Sequence, residues 1–495
     1  MKLLRIHIIS ADTCGGLLDG LDISLRSQMD EQTTFTPLCL LGANGTGKSQ
    51  LLQVLAEMFQ SAFHAVVCEE ERIEGNPGLQ FEVDYLIRPH GSPATVHVRI
   101  SRRAQTKRRP VVTIRKMVDG TWINCELTAP ETKELLPGKV IGYSSGDNET
   151  LSLPFLLSRS GYAEEVRESA IDHTTPSTGI QDTRLMLIDY GTHLEVLVAN
   201  LLLGSDEQRS ALLKYAHLDD LHSFRCSIQL AHGAAPRAPA RAGKQSKRKG
   251  IQLTDELEEY LTRLQRCATC YQYDDKTETY TFDFLVDTET KTAFRFFWKT
   301  AFDLYSAFHK LAMLNDLVIP KHARERFSKE TKARRFASRL PEPQDEDKVF
   351  RFERVNFHAR NRTAIVDYVS LSDGEHQLAQ LLGTFSMISF SNVLFLLDEP
   401  ESHFNPVWRM NLMERLRELP TSNGKRSDNA ETIRQDCLIT THSPYLPADL
   451  PKEKVFIFSR APLTRKVEVS RPDQETYGAT FDTILRSCFG VHTSP

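Results

Sequence analysis

Residues 38 to 49 read LCLLGANGTGKS, and this stretch decides the fold. Leu38-Cys39-Leu40-Leu41 is a compact apolar run of the kind that forms a buried strand. It passes directly into Gly42-Ala43-Asn44-Gly45-Thr46-Gly47-Lys48-Ser49, which fits G-x-x-x-x-G-K-[ST]. Leu51, Leu52, Leu55, Met58 and Phe59 then recur at helical spacing. Strand, glycine loop and helix therefore come in order. Glycines let backbone N–H groups close around phosphate oxygens, and a helix start behind them favours negative charge. Asn44, Gly45, Thr46 and Gly47 supply the loop. Lys48 is expected to reach the β- and γ-phosphates, and the Ser49 hydroxyl to bind Mg²⁺. The bland alternative, a glycine turn that happens to precede a helix, lacks a reason for the lysine and serine.

Far along the chain, Val393-Leu394-Phe395-Leu396-Leu397 ends in Asp398-Glu399. A buried parallel strand would deliver Asp398 to the Mg²⁺ shell. Glu399 would then stand where it can orient or deprotonate an attacking water. A strand that merely ends in a solvated acidic turn is the structural alternative. Between the two motifs lies Leu371-Ser372-Asp373-Gly374-Glu375-His376-Gln377, with Leu378, Leu381, Leu382 and Phe385 after it at core-facing spacing. Ser372 and Glu375 fit an S-x-x-E capping box, and a capped helix start is itself an anion site. A further apolar run, Leu438-Ile439, leads into Thr440-Thr441-His442.

Taken together, the glycine loop, LSDGEHQ, LFLLDEPESHFNP and LITTHSPYL resemble the ABC ATPases. The resemblance implies an α/β fold of the ABC-type P-loop NTPase class, a mixed sheet with an antiparallel subdomain. It implies ATP as ligand, LSDGEHQ as the signature motif, and a head-to-tail homodimer or higher oligomer. Ser372, Gly374 and Glu375 would then meet nucleotide held by the facing chain, and His442 would sense the γ-phosphate. The family's glutamine after a first-lobe strand has no counterpart in Gly142–Glu149, where Asn148 or Glu149 would have to substitute.

Ser49 and Ser372 stand more than three hundred positions apart, farther than in transporter ATPases. That spacing is similar to the soluble DNA-handling branch, including overcoming-lysogenization-defect-like ATPases. MKLLRIHIIS, LLGANGTGKSQLLQVLAEMF and VIGYSSGDNETLSLPF resemble restriction-system-associated ATPases, and most of all the ATPase subunits of Septu-type anti-phage systems, some encoded beside retrons. That likeness implies an antiviral ATPase acting with a separate HNH-type nuclease, and in retron systems with a reverse transcriptase and its DNA–RNA product. Residues 443 to 495 are too few for a fused nuclease domain, so cutting by this chain itself is not expected. Two other readings stay open: an SMC/RecF-like DNA-repair ATPase clamp, and a nucleotide-gated scaffold with negligible turnover.

The expected organisation is an ATPase lobe over 1–150, a mainly helical insertion over 151–348, and a second lobe over 349–495. Within the insertion, GAAPRAPARAGKQSKRKG at 233–250 cannot build a core and reads as a basic linker. Segments 79–87, 94–100 and 111–117 read as antiparallel strands, and MKLLRIHIIS as a first strand rather than a secretory signal. No apolar run is long enough to span a bilayer. Nine scattered cysteines in 495 residues fit a reducing, cytoplasmic setting better than a disulfide framework. Cys267 and Cys270 have C-x-x-C spacing but no second ligand pair.

The net charge of -4 excludes a globally basic polyanion binder. Any nucleic-acid surface must be local. Three clusters qualify: Arg102, Arg103, Lys107, Arg108 and Arg109 in a hairpin loop; Arg237 to Lys249; and Lys321 to Arg339, carrying Arg324, Arg326, Lys329, Lys332, Arg334 and Arg335 on a helix. The alternative for each is a solvated face.

Overall fold

The computed structural model describes residues 1–490 except 13–14, 28–33, 106–107, 146–148, 173–178, 232–247, 249, 333–342, 361–363, 422–423 and 462–465. The chain forms two compact units. The first comprises 1–156, 184–190 and 389–495; the second comprises 157–183 and 191–388.

A seven-stranded sheet organises the first unit. Its order is Val467–Ser470, Val455–Arg460, Leu38–Gly42, Asp436–Thr441, Val393–Asp398, Lys139–Ser144 and Leu185–Ile188. All neighbours are parallel except the first pair. Leu38–Gly42, Val393–Asp398 and Asp436–Thr441 are buried at every position, as a parallel sheet covered on both faces requires. This explains their uninterrupted apolar reading in the sequence. Facing this sheet is a second, antiparallel one of six strands, in the order Leu21–Ser24, Lys2–Ser10, Gln80–Ile87, Val96–Gln105, Arg108–Val118 and Thr121–Asn124. The expected strands at 79–87, 94–100 and 111–117, and the expected first strand, are therefore present.

The helix Lys48–Val66 shares one core with both sheets. Leu51, Leu52, Val54, Leu55, Ala56, Met58 and Phe59 have no solvent exposure, and Gln53, Glu57, Gln60 and Ser61 are buried too. Gln53 donates to Glu57 at 3.0 Å, and Gln60 to the Pro154 carbonyl at 3.1 Å. A helix buried all round is what places Lys48 and Ser49 at a fixed point above the sheet.

Helices predominate in the second unit, and it also holds a sheet that was not expected. This sheet is five-stranded and antiparallel, in the order Cys270–Asp274, Thr279–Leu285, Leu218–Gln229, Phe350–Ala359 and Ile365–Asp367. Phe224 stacks on Phe284 with ring centroids 4.3 Å apart, and Phe294 packs against both. Aromatic residues interrupted by Thr and Asp make a weak strand pattern in the sequence. The boundary expected at 348 is also not a boundary of the units: residues 349–388, including LSDGEHQ, fall in the second. The helix Asp373–Met387 lies close against His193–Leu203, where Asn200 donates to the Gly383 carbonyl at 3.0 Å. A Cβ on Gly383 would come within 2.9 Å of Val196, so glycine permits that approach.

In the first unit the strand Asp436–Thr441 opens with a fully buried ion pair. Both Asp436 oxygens accept from Arg26, at 2.6 and 2.7 Å, and they also accept from the backbone of Leu3 and Cys437. Burial alone would raise this carboxyl. Arg26 and Lys2 together hold it below the ordinary aspartate range instead. Replacing Asp436 with Ala should lower the unfolding free energy of the first unit by about 3–5 kcal/mol, because Arg26 is left buried and uncompensated. Paired replacement, Arg26→Met with Asp436→Leu, should recover most of that loss in urea denaturation.

Candidate functional site

The parallel strands of the seven-stranded sheet all end at the same edge, and the register sets what meets there. Asp398 is opposite Thr440 on one side and Ser144 on the other, while Thr441 is opposite Leu41 and Phe458 is opposite Gly42. Ligands of open α/β sheets bind outside the carboxyl ends of the strands. Every element of the expected catalytic set in the first unit emerges at this edge.

The glycine loop closes by its own hydrogen bonds. Thr46 Oγ1 donates to the Ala43 carbonyl at 2.8 Å. The Lys48 ammonium, itself buried, donates to the carbonyls of Gly42 at 2.8 Å and Ala43 at 3.1 Å. Gly45 and Gly47 have φ of 74° and 95°, a region open to glycine and costly for other residues. At Gly42 the need is spatial, since a Cβ would lie 2.4 Å from the Phe458 carbonyl oxygen of the neighbouring strand. Arg460 donates from Nε to the Gly45 carbonyl at 2.7 Å. Its guanidinium thus stands beside the loop, a placement with no local signal in the sequence.

Ser49 Oγ donates to Asp398 Oδ1 at 2.8 Å, and Thr440 Oγ1 donates to the same oxygen at 2.6 Å. Asp398 is almost fully buried, and burial raises its carboxyl above the usual range despite those two hydroxyls. Two hard oxygen ligands side by side, one with charge held out of water, suit a small divalent cation such as Mg²⁺.

Glu399 takes an unusual backbone conformation. Its φ is 49°, left-handed, where a non-glycine residue typically costs about 1–3 kcal/mol. Its N–H bonds to Thr440, to the carbonyl at 3.2 Å and the hydroxyl at 3.0 Å. That turn re-aims the side chain so that Glu399 Oε1 lies 2.6 Å from His442 Nε2. The hydrogen bond to His442 holds Glu399 below the ordinary glutamate range, and the same bond raises His442 above the ordinary histidine range. Lys48 is shifted down by burial, with Glu399 and Asp398 opposing that shift.

Glu401 is a further acid at this edge, inside the LFLLDEPESHFNP run but given no role there by the sequence reading. It is buried, accepts from Thr441 Oγ1, leaves Oε2 without a hydrogen bond among the described residues, and is pushed by burial up to about 7. Its signal in the sequence is the acid two positions past Glu399 in DEPES, combined with a strand that ends in two threonines.

Ser372 and Glu375 form the expected capping box at the start of the helix Asp373–Met387. The Ser372 backbone N–H donates to Glu375 Oε2 at 2.8 Å, and Ser372 Oγ accepts from the Glu375 N–H at 3.4 Å. Ser372 is exposed, Gly374 is buried and Glu375 is half-buried. His376 stacks on Tyr368 with centroids 4.1 Å apart and bonds its carbonyl oxygen at 2.8 Å, which fixes the loop leading into the helix. Asn148 and the Glu149 side chain, the candidates for the missing glutamine, lie outside the described residues. The strand that precedes them ends at Ser144, beside Asp398.

The basic clusters fare unevenly. Arg102 is not a surface residue: strand alternation puts it on the inward face with Val98 and Ile100, where it donates to the Asn76 carbonyl at 2.9 Å. Arg103 points outward and pairs with Glu82 at 2.9 Å. Lys107 and the side chains of Arg108 and Arg109 lie outside the described residues, as does 237–249 apart from Arg248, which pairs with Glu258 at 2.7 Å. On the helix Lys321–Lys332, Arg324 pairs with Glu164 at 2.9 Å and Arg326 with Glu330 at 2.7 Å. Arg334, Arg335 and Arg339 are outside the described residues.

Residues 290–449 match a family model described as "AAA domain, putative AbiEii toxin, Type IV TA system". The matched span holds LSDGEHQ, the Asp398-Glu399 strand and His442, but not the glycine loop. No curated protein sequence matches the chain. Among solved structures, "Structure of the recombination mediator protein RecF-ATPrS in RecFOR pathway" aligns over 94% of this chain and 97% of that one, at 11% identity and a TM-score of 0.30. A likeness that distant bears on neither ligand nor partner. Among the described residues no helix is long and apolar enough to cross a membrane. The fold is mixed α/β, with parallel and antiparallel sheets in one core and a glycine loop of the P-loop pattern between a buried parallel strand and a buried helix.

The Glu399–His442 pair gives a direct titration test. With His442 raised and Glu399 lowered, the charged pair should persist from below the usual glutamate pKa to above pH 6.5. Its contribution to stability is fully present between the unfolded glutamate and unfolded histidine values, and is lost as pH rises through the folded histidine value or falls through the folded glutamate value. NMR titration should find the His442 imidazolium above pH 6.5 in the native protein. In Glu399→Gln the value should fall back towards 6.5.

Proposed function

We propose that this chain is the ATP-hydrolysing subunit of an anti-phage defence complex of the Septu or retron type. It works as an ATP-sandwich dimer and controls a separate HNH-type nuclease. The observation that carries the catalytic part is the convergence of Ser49, Asp398, Thr440, Glu399 and His442 at one strand edge beside the glycine loop.

Loop N–H groups of Asn44 to Ser49 and the Lys48 ammonium bind the triphosphate. For Lys48 this means exchanging the carbonyls of Gly42 and Ala43 for phosphate oxygens. Ser49 and Asp398 hold Mg²⁺, which would neutralise charge building on the phosphates. Glu399 accepts a proton from, or orients, the attacking water. His442 keeps that carboxylate ionised and aimed, and it exchanges this bond for one to the γ-phosphate when nucleotide is present. Ser372, Gly374 and Glu375 of a facing chain close the site over the γ-phosphate at an exposed helix start. Burial of Asp398 and the strained turn at Glu399 are the features a preorganised hydrolytic site would have.

The defence assignment rests on the likeness of both lobes to Septu-type ATPases, and the family match over 290–449 is compatible with it. A reverse transcriptase with its DNA–RNA product is the further partner if the operon encodes a retron. Nucleic acid would be met through local basic segments outside the two cores.

Glu399→Gln should lower ATP turnover by about 10²–10⁴-fold, the usual worth of a positioned general base, while nucleotide binding is retained. Unchanged phosphate release in that variant would remove Glu399 from the role. For the assembly, affinity purification of the chain expressed from its native operon should bring down a nuclease subunit. A homodimer carrying only DNA would instead favour a repair clamp.

A further inference from the structure

The parallel strands have a second edge, where they begin, and it is built very differently from the first. There the first strand of the antiparallel sheet and the residues leading into Val393–Asp398 and Asp436–Thr441 enclose a cavity of about 160 Å³. Lys2, Arg26, Arg88 and Arg434 line it, and among the described residues no Asp or Glu does. The neighbouring carboxylate, Asp436, is already saturated by two bonds from Arg26 and two from backbone N–H groups.

Three cationic nitrogens of this lining are out of contact with solvent and have no hydrogen-bond acceptor among the described residues: Lys2 Nζ, Arg26 Nε and Arg88 Nε. Each belongs to a different stretch of chain, so one local distortion does not account for them. A buried donor without an acceptor costs about 1–3 kcal/mol, and more when it is charged. Water could accept these protons but could not balance the charge. A multiply charged oxyanion does both, and the cavity has room for one with some of its hydration, given about 30 Å³ per water. Lys2 is held down to about 7 by burial, which outweighs the opposing charge of Asp436. A further cation, Arg434, has a single ion pair among the described contacts, a loose one to Glu431 at 3.5 Å.

We propose that this cavity is a binding site for a phosphate-type oxyanion, distinct from the nucleotide site, in which Lys2, Arg26 and Arg88 hold the anion. The anion is either free inorganic phosphate or the phosphate of a small monoester. Its position at the starts of the strands bearing Asp398 and Thr440 puts it on the same two strands as the catalytic edge, at their opposite ends.

The test uses full-length Lys48→Ala protein, so that the glycine loop does not report. Inorganic phosphate and adenosine monophosphate are titrated separately while thermal unfolding is monitored, with chloride at equal ionic strength as control. A ligand that binds only the folded state raises Tm saturably. The expected result is such a rise with phosphate, weakened by about tenfold or more in apparent affinity by Lys2→Met or Arg88→Met, as loss of one charge-assisted hydrogen bond implies. A response to phosphate alone identifies a free-ion site. A stronger response to the monophosphate identifies a monoester site. If either variant is poorly folded, anomalous scattering from tungstate in crystals of the Lys48→Ala protein gives an independent readout, and a peak within the cavity is expected. No saturable shift with either ligand, or a shift that both folded variants retain, overturns the proposal, as does a cavity without tungstate.

Discussion

Asp398 is kept out of water and accepts two hydroxyl protons on one oxygen, from Ser49 at the start of the buried helix and from Thr440 on the adjacent strand. A carboxylate in that situation cannot move without leaving its charge unsolvated, so it ties the helix and two strands to one point. The rest of the site is arranged around it. One residue later the chain turns through a left-handed conformation at Glu399, and Thr440 holds that turn through the Glu399 N–H. Two residues after Thr440 comes His442, which meets the re-aimed Glu399 side chain. A single strand register, Asp398 opposite Thr440, therefore places a metal-type ligand pair and an acid–imidazole pair together.

Much of this is legible in the sequence because the relevant residues are joined to local patterns. The glycine loop is flanked by its strand and helix, and Asp398-Glu399 end an apolar run too uniform for anything but a buried strand. Ser372 and Glu375 announce their own capping box. By contrast, Glu401, Thr440, Thr441 and Arg460 are defined by register and by strand order, which bring distant segments side by side. No window of sequence contains the fact that Arg460 reaches the Gly45 carbonyl. The sheet of the second unit is hidden for a related reason: Phe224 joins the core of Phe284 and Phe294 only when its strand meets a strand–helix pair some sixty residues farther along the chain. Arg102 misleads because its charge is visible in the sequence and its face is not; strand alternation turns it inward.

The two edges of the parallel sheet show how one architecture can present opposite chemistry. Where the strands end, acids and hydroxyls gather beside a lysine. Where they begin, cations outnumber acids, and Asp436 is already used to fasten Arg26. Both edges are rigid for the same reason, since strands buried at every position leave little freedom at either end. Function at the first edge is proposed to need a second chain, whose exposed helix start at Ser372 would offer anion-binding groups to the triphosphate.

That reciprocal arrangement can be measured directly by mixing two inactive variants, Lys48→Ala and Ser372→Arg, and monitoring phosphate release. In a head-to-tail dimer, one of the two sites in a mixed pair combines the intact Lys48 of one chain with the intact Ser372 of the other. Turnover should therefore reappear on mixing although neither variant alone has it. If both variants are folded and form dimers, and the mixture is no more active than its components, nucleotide is not hydrolysed between two copies of this chain.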